Sequence, residues 1–133
     1  MTRRQLRESI FKYVFRMEFN TREEMDVQLD YHICELTDAR EKDALYIEEK
    51  CRGIVENCAA LDEAIEQASE GWKINRIGKA ELAILRLAAY EIMFDEDIPN
   101  NVAINEAVEL AKEFCADEAK AYINAVLAKL VKQ

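Results

Sequence analysis

The stretch 79-KAELAILRLAAYEIMF-94 decides the fold. Together with Ile77 just before it, Leu82, Ile84, Leu85, Leu87, Ala88, Ala89, Tyr90, Ile92 and Met93 cannot all lie on one face of a helix. A helix that is apolar almost all round is the buried centre of a bundle. Its interior polar residues, Arg86 and Glu91, are five positions apart and so do not pair as i,i+4 neighbours. Each must reach a partner on another element, because an unpaired buried charge is costly. Asp97-Ile98-Pro99 closes the stretch, since proline disfavours helical geometry in the residue before it.

Outward from this centre the periodicity is helical throughout. Leu6, Ile10, Tyr13, Val14 and Met17 predict a first helix over about 3–19, with a second stripe of Phe11, Phe15 and Phe19 spaced by four. Thr21, followed three residues later by Glu24, is a capping-box signature for a second helix over about 22–36, carrying Met25, Leu29, Ile33 and Leu36. Thr37 or Asp38 can cap a third over about 39–58, with Leu45, Ile47, Ile54, Val55 and Cys58; a short fourth holds Leu61 and Ile65 and stops near Gly71. After Pro99, Ala103, Ile104, Ala107, Val108, Leu110, Ala111 and Phe114 fall within an arc of about 160°, with Glu106, Glu109 and Glu113 opposite. A last helix over about 117–131 packs through Tyr122, Ile123, Val126, Leu127 and Leu130. Three glycines and one proline in 133 residues are too few for a turn-rich sheet protein. The expectation is one all-α domain of six or seven helices.

No run approaches the roughly 20 apolar residues of a membrane span. The start MTRRQLRES lacks the apolar core of a signal peptide, so no membrane contact and a cytoplasmic location are expected. Cys34, Cys51, Cys58 and Cys115 are then reduced thiols. No CxxC pair exists, and His32-Ile33-Cys34 is the only other local hint of metal ligands, so no metal is expected. Cys51 and Cys58, seven apart, read as one core-facing stripe.

The formal charge of −9 argues against nonspecific nucleic-acid binding by the whole surface. It is unevenly spread. Residues 1–22 hold six basic side chains (Arg3, Arg4, Arg7, Lys12, Arg16, Arg22) against Glu8 and Glu18, a net of +4, leaving −13 on the rest. Charge alone leaves open whether this is an anion-binding end or a solvated basic helix start. Arg3 and Arg7 are one turn apart with Arg4 beside them, and guanidinium forks suit phosphates and stack on unpaired bases. Tyr122 is an aromatic of the kind that gives a stacking platform, and equally an ordinary core tyrosine with its hydroxyl at the surface. Catalysis finds no footing: there is one histidine, His32, expected on a helix surface, and Ser9 and Ser69 lie in no nucleophile elbow. Gly53, Gly71 and Gly78 are isolated and form no phosphate loop. Neither a catalytic residue nor a cofactor is expected.

Three stretches resemble the NusB family of bacterial transcription antitermination factors. RRQLRESIFKYVFRMEFN resembles the family's arginine-rich entry into an aromatic-bearing first helix. WKINRIGKAELAILRLAAYEIMFDEDIP resembles its central helix, with an LR-(I/L)-A-x-YE core and a terminal (I/V)P. VAINEAVELAKEF, then AYINAVLAKL, resembles its pattern VAINEA(I/V)ELAK followed by F(V/I)NGVLDK. The resemblance implies two packed helical bundles, about 1–58 and 59–133, in a single RNA-binding domain. It implies binding of the boxA element of nascent ribosomal RNA transcripts together with ribosomal protein NusE, and action on elongating RNA polymerase with other Nus factors. By the same resemblance Arg3, Arg4 and Arg7 would contact RNA phosphates and bases, Tyr122 would stack where the family has a phenylalanine, and Glu118 would lie beside the RNA path. Phe15 and Glu81 would face NusE.

Departures from the pattern are the missing hydroxyl at Phe15, a leader of only Met1-Thr2, and Asn124-Ala125-Val126-Leu127-Ala128 in place of NGVLD. The short leader predicts a lower RNA affinity. A second reading is a helical homodimeric interaction protein that keeps the fold without boxA binding and buries the phenylalanine stripe. A third is the NusB-like domain fused to some RNA cytosine methyltransferases, from which no enzyme activity is expected in a chain ending at Gln133.

Overall fold

The computed structural model describes residues 1–70 and 72–132. Seven α-helices, two short 3-10 turns and no strand occur among them, so the all-α expectation holds. They form two compact units, Met1–Glu56 and Asn57–Gln133.

The first unit contains α1 (Arg3–Phe15), α2 (Arg22–Cys34) and α3 (Glu41–Glu56). Both α1 and α2 open on a reciprocal cap. The Gln5 N–H donates to Thr2 Oγ1 (3.1 Å) while Gln5 Oε1 accepts from the Thr2 N–H (2.8 Å). Thr21 and Glu24 repeat the arrangement at 3.2 and 2.6 Å. Each cap satisfies two backbone donors that a helix start leaves over.

The first helix stops earlier than the apolar stripe implies. A 3-10 turn spans Arg16–Glu18, and the Asn20 side-chain amide donates to the Arg16 carbonyl at 2.9 Å. That carbonyl is the one a continuing helix would offer to the residue-20 N–H.

Leu6, Ile10, Tyr13 and Val14 of α1 are buried, as are Met25 and Leu29 of α2 and Ile47, Cys51 and Ile54 of α3. The Tyr13 hydroxyl donates to the Met25 carbonyl at 2.9 Å, which places a polar group in this core without leaving it unpaired.

Three expectations fail in α3. Neither Thr37 nor Asp38 caps it: Asp38 adopts a left-handed conformation (φ 57°), tolerated by aspartate, and the helix begins from the Arg40 carbonyl. The Asp43 carboxylate accepts from the Arg40 N–H at 3.1 Å and from the Met1 ammonium at 3.0 Å. Leu45 is 54% exposed, because the buried face runs through Asp43, Ile47, Lys50, Cys51 and Ile54 instead. Cys51 and Cys58 do not share a helix: Asn57 leaves helical geometry (φ −103°, ψ 13°) between them, and Cys58 opens the next element, half-buried.

The second unit contains α4 (Cys58–Ala68), α5 (Lys79–Phe94), α6 (Asn100–Phe114) and α7 (Ala119–Val131). The expected stop near Gly71 lies outside the described residues; α4 ends at Ala68. Helix α5 is buried from Leu82 through Ala89, and α4, α6 and α7 all pack on it. Each leucine or isoleucine so enclosed contributes about 1.5–3 kcal/mol.

The two polar residues in the interior of α5 are accounted for. Arg86 makes a two-pronged ion pair with Asp62 of α4, Nε to Oδ1 at 2.8 Å and Nη2 to Oδ2 at 2.9 Å. Glu91 is 1% exposed, and no buried side-chain nitrogen or oxygen among the described residues lacks a hydrogen-bond partner. Pro99 precedes α6 in extended geometry, and its carbonyl accepts from the Val102 and Ala103 N–H groups, both at 3.0 Å.

Removing one partner of a desolvated ion pair leaves the other charge uncompensated. Asp62→Ala is therefore expected to lower unfolding free energy by about 3 kcal/mol in urea titrations, whereas the double change with Arg86→Met recovers most of that loss.

Candidate nucleic-acid and partner surfaces

In the first unit, Arg3 and Arg4 are exposed on the opening turn of α1. The Thr2–Gln5 cap and the Met1–Asp43 ion pair hold that turn in place. Arg7 differs: it is 5% exposed, so the three guanidinium groups do not form one open cluster. Phe15 is half-buried in an aromatic ladder, its ring centroid 6.4 Å from Phe11 and 5.3 Å from Phe19. Phe11 is buried at the inner end and Phe19 is 58% exposed at the outer.

His32 is not on the surface. Its Nε2 lies 2.9 Å from Ser9 Oγ, the Tyr13 ring centroid is 5.7 Å away, and the residue is buried. Burial first, then the Arg16 guanidinium, hold its imidazole below the ordinary 6.5.

In the second unit, Glu81, Glu118 and Tyr122 line one cavity of about 390 Å³ with Trp72, Arg76, Ile77 and Gly78. Residues assigned to two different surfaces, RNA for Glu118 and Tyr122 and a protein partner for Glu81, thus share one hollow. Tyr122 is half-buried and its hydroxyl is 3.2 Å from Ser69 Oγ. Glu118 is exposed at the start of α7. The Glu81 carboxylate lies over Gly78, where a Cβ would collide with it. Burial and that carboxylate together push the Cys115 thiol up to about 12, so it stays protonated at neutral pH.

Sequence reasoning passed over Trp72, which is 58% exposed at the rim of this cavity. The signal that could have found it is local: 72-WKINRIGK-79 sets one aromatic among three basic residues and no acid.

Among the described residues no group of three or more His, Cys, Asp or Glu is arranged to hold a metal ion. No described helix is long and apolar enough to cross a membrane.

Fold and surfaces define a class first: a small all-helical protein of two units, with exposed arginines opening one and an aromatic-walled hollow in the other. The sequence model of the NusB family matches residues 4–132, and the chain belongs to that family. It is 51% identical over 129 residues to the transcription antitermination protein NusB of Agathobacter rectalis, covering 97% of this chain and 98% of that one. It is 42% identical to the corresponding protein of Clostridium novyi, covering 99% of both. Among solved structures, T. maritima NusB superposes with a TM-score of 0.90 at 32% identity, covering 100% of this chain and 92% of that one. A crystal structure of antitermination factors NusB and NusE in complex with dsRNA shares the fold, with a TM-score of 0.82 at 21% identity, covering 99% and 98%.

The buried histidine makes stability depend on pH. Its folded pKa is depressed, so the unfolded chain takes up this proton first. Stability is full above about 6.5 and declines as pH falls below it. Asp43 and Glu70, whose carboxyls are also held low, titrate under 4.5 and do not interfere. Urea midpoints are expected to fall between pH 7.5 and 5.5, and His32→Gln to flatten that slope; an equal slope in the variant would remove His32 as the cause.

Proposed function

We propose that this protein is a cytoplasmic, non-enzymatic transcription antitermination factor. It binds boxA RNA of nascent ribosomal RNA transcripts together with ribosomal protein NusE, and acts on elongating RNA polymerase with other Nus factors. The observation that carries the reading is membership of the NusB family over residues 4–132. Residues 1–133 are in this reading a single RNA-binding domain of two bundles, about 1–58 and about 59–133.

Exposed Arg3 and Arg4 supply the phosphate contacts. Arg7, being buried, supports that turn and reaches RNA only if its side chain swings out. Tyr122 offers its half-exposed ring to a base, held by the Ser69 contact, and Glu118 stands beside the RNA path. Phe15 and Glu81 serve the NusE-binding surface. For Glu81 the support is its place in the wall of the hollow.

The exposed end of the phenylalanine ladder favours a second reading, a helical homodimeric interaction protein that keeps the fold without boxA-specific RNA binding, its two copies associating through Phe15 and Phe19. Light scattering on the free protein, then with NusE added, separates the two. A dimer that never yields to NusE or RNA favours the interaction-protein reading.

The direct test is titration of a boxA-type RNA with this protein, alone and with NusE, at two salt concentrations. NusE is expected to tighten binding; no enhancement sinks the mechanism. Arg4→Ala is expected to weaken binding and to flatten its salt dependence by about 0.7 in log–log slope, one phosphate's worth for a single strand. Unchanged affinity and slope would remove Arg4 from the contact.

A further inference from the structure

The last turn of α5 carries apolar side chains that its own unit leaves open. Met93 and Phe94 are exposed, and Tyr90 is half-buried with its ring centroid 5.5 Å from that of Phe94. Positions 90, 93 and 94 are neighbours on one face of a helix. Val102, in the opening turn of α6 at the same end of the bundle, is exposed as well.

The charge around these side chains has one sign. Residues 87–111 hold Glu91, Asp95, Glu96, Asp97, Glu106 and Glu109 and no basic residue. The last turn of α5 therefore presents the negative end of the helix dipole with no lysine or arginine of its own to offset it. Glu96 and Asp97 are exposed, and neither side chain has a hydrogen-bonded or ion-paired partner among the described residues. The segment that bears them is braced. Asp95 Oδ1 accepts from the Asp97 N–H at 3.1 Å, the Asp95 carbonyl accepts from the Ile98 N–H at 3.3 Å, and Ile98 is buried.

We propose that this face docks a basic amphipathic helix of a protein partner. Apolar side chains of that helix pack on Tyr90, Met93 and Phe94, while its lysines or arginines lie on Glu96, Asp97 and the carbonyl end of α5. Helix-on-surface recognition uses anchors at i, i+3 and i+4, and a thioether beside aromatic rings adapts to them. The charges select this occupant. RNA and an anionic membrane both bring phosphates to a surface that offers only carboxylates. A second copy joined face to face opposes the same acids, and like charges across a contact cost affinity. The face is separate from the hollow near Glu81, since Phe94 lies thirteen residues further along α5, about 20 Å at the helical rise. The proposal does not rest on RNA binding and adds a partner to it.

The probe is a synthetic peptide of about 18 residues, five helical turns, made of leucine and lysine with the leucines on one face. A scrambled peptide of the same composition carries the charge without the face. Each is titrated into the isotope-labelled full chain while backbone amide resonances are followed by NMR. The amphipathic peptide is expected to give saturable shifts centred on residues 90–97 and 102, and the scrambled one to bind on the order of tenfold more weakly. Phe94→Ser, and separately Glu96→Lys together with Asp97→Lys, each weaken binding on the order of tenfold, with amide resonances far from the face unchanged.

Shifts scattered over the acidic surface, or equal affinity for the two peptides, reduce the effect to attraction by net charge and overturn the proposal. Peptide binding that survives Phe94→Ser and the paired lysine changes overturns it too. Shifts of residues 90–97 that grow with protein concentration in the absence of peptide assign the face to a second copy and likewise overturn it. The boxA titration is unaffected by any of these results, so the two readings fail separately.

Discussion

A helix that is apolar on every side has no face to give to water, and α5 imposes that constraint on the second unit. From Leu82 to Ala89 each successive residue is buried. Three other helices must therefore meet it from three directions, and α4, α6 and α7 do so. The consequence extends to what those helices may carry. Alanine at 103, 107 and 111 lets α6 approach closely, since larger side chains there would hold the axes apart. The single guanidinium inside α5 then fixes how α4 sits, because a fork with two matched hydrogen bonds to Asp62 tolerates little rotation or sliding. Hydrophobic burial supplies most of the free energy here, and the ion pair supplies the register.

Elements whose pattern is complete within themselves were legible in the sequence. The limits of α5 could be read from its composition and from the proline beyond it, and the Thr21–Glu24 cap from two residue types three apart. Features that depend on a second element were not. His32 looked like a surface residue because its partner, Ser9, is 23 positions away on another helix. Leu45 looked buried from its apolar side chain, yet the face of α3 that the neighbouring helices cover carries Asp43 and Lys50 beside Ile47, Cys51 and Ile54. The end of α1 was missed for a similar reason, since an asparagine side chain competes for a carbonyl without disturbing the apolar rhythm.

The candidate surfaces divide along the same line. Exposure of Arg3 and Arg4 follows from the helix start, whereas the burial of Arg7 on the very next turn does not follow from charge or spacing. That Glu81, Glu118 and Tyr122 line one hollow could not be derived from positions up to 41 residues apart; it needs α5 and the start of α7 placed together. Trp72 was passed over because it falls outside every helix, where periodicity carries no information. Its neighbours were informative through composition alone.

Gly78 shows how a residue without a side chain can govern a charge. The backbone there is ordinary in conformation (φ −56°), so no special flexibility is called for. The requirement is room, because the Glu81 carboxylate folds back across the position a methyl group would take. Any larger residue at 78 must displace that carboxylate. Its displacement shifts negative charge within the wall that it shares with Arg76 and Glu118. A homologue with alanine or serine at this position would thus be an electrostatic variant of the hollow even with every charged residue of the sequence unchanged.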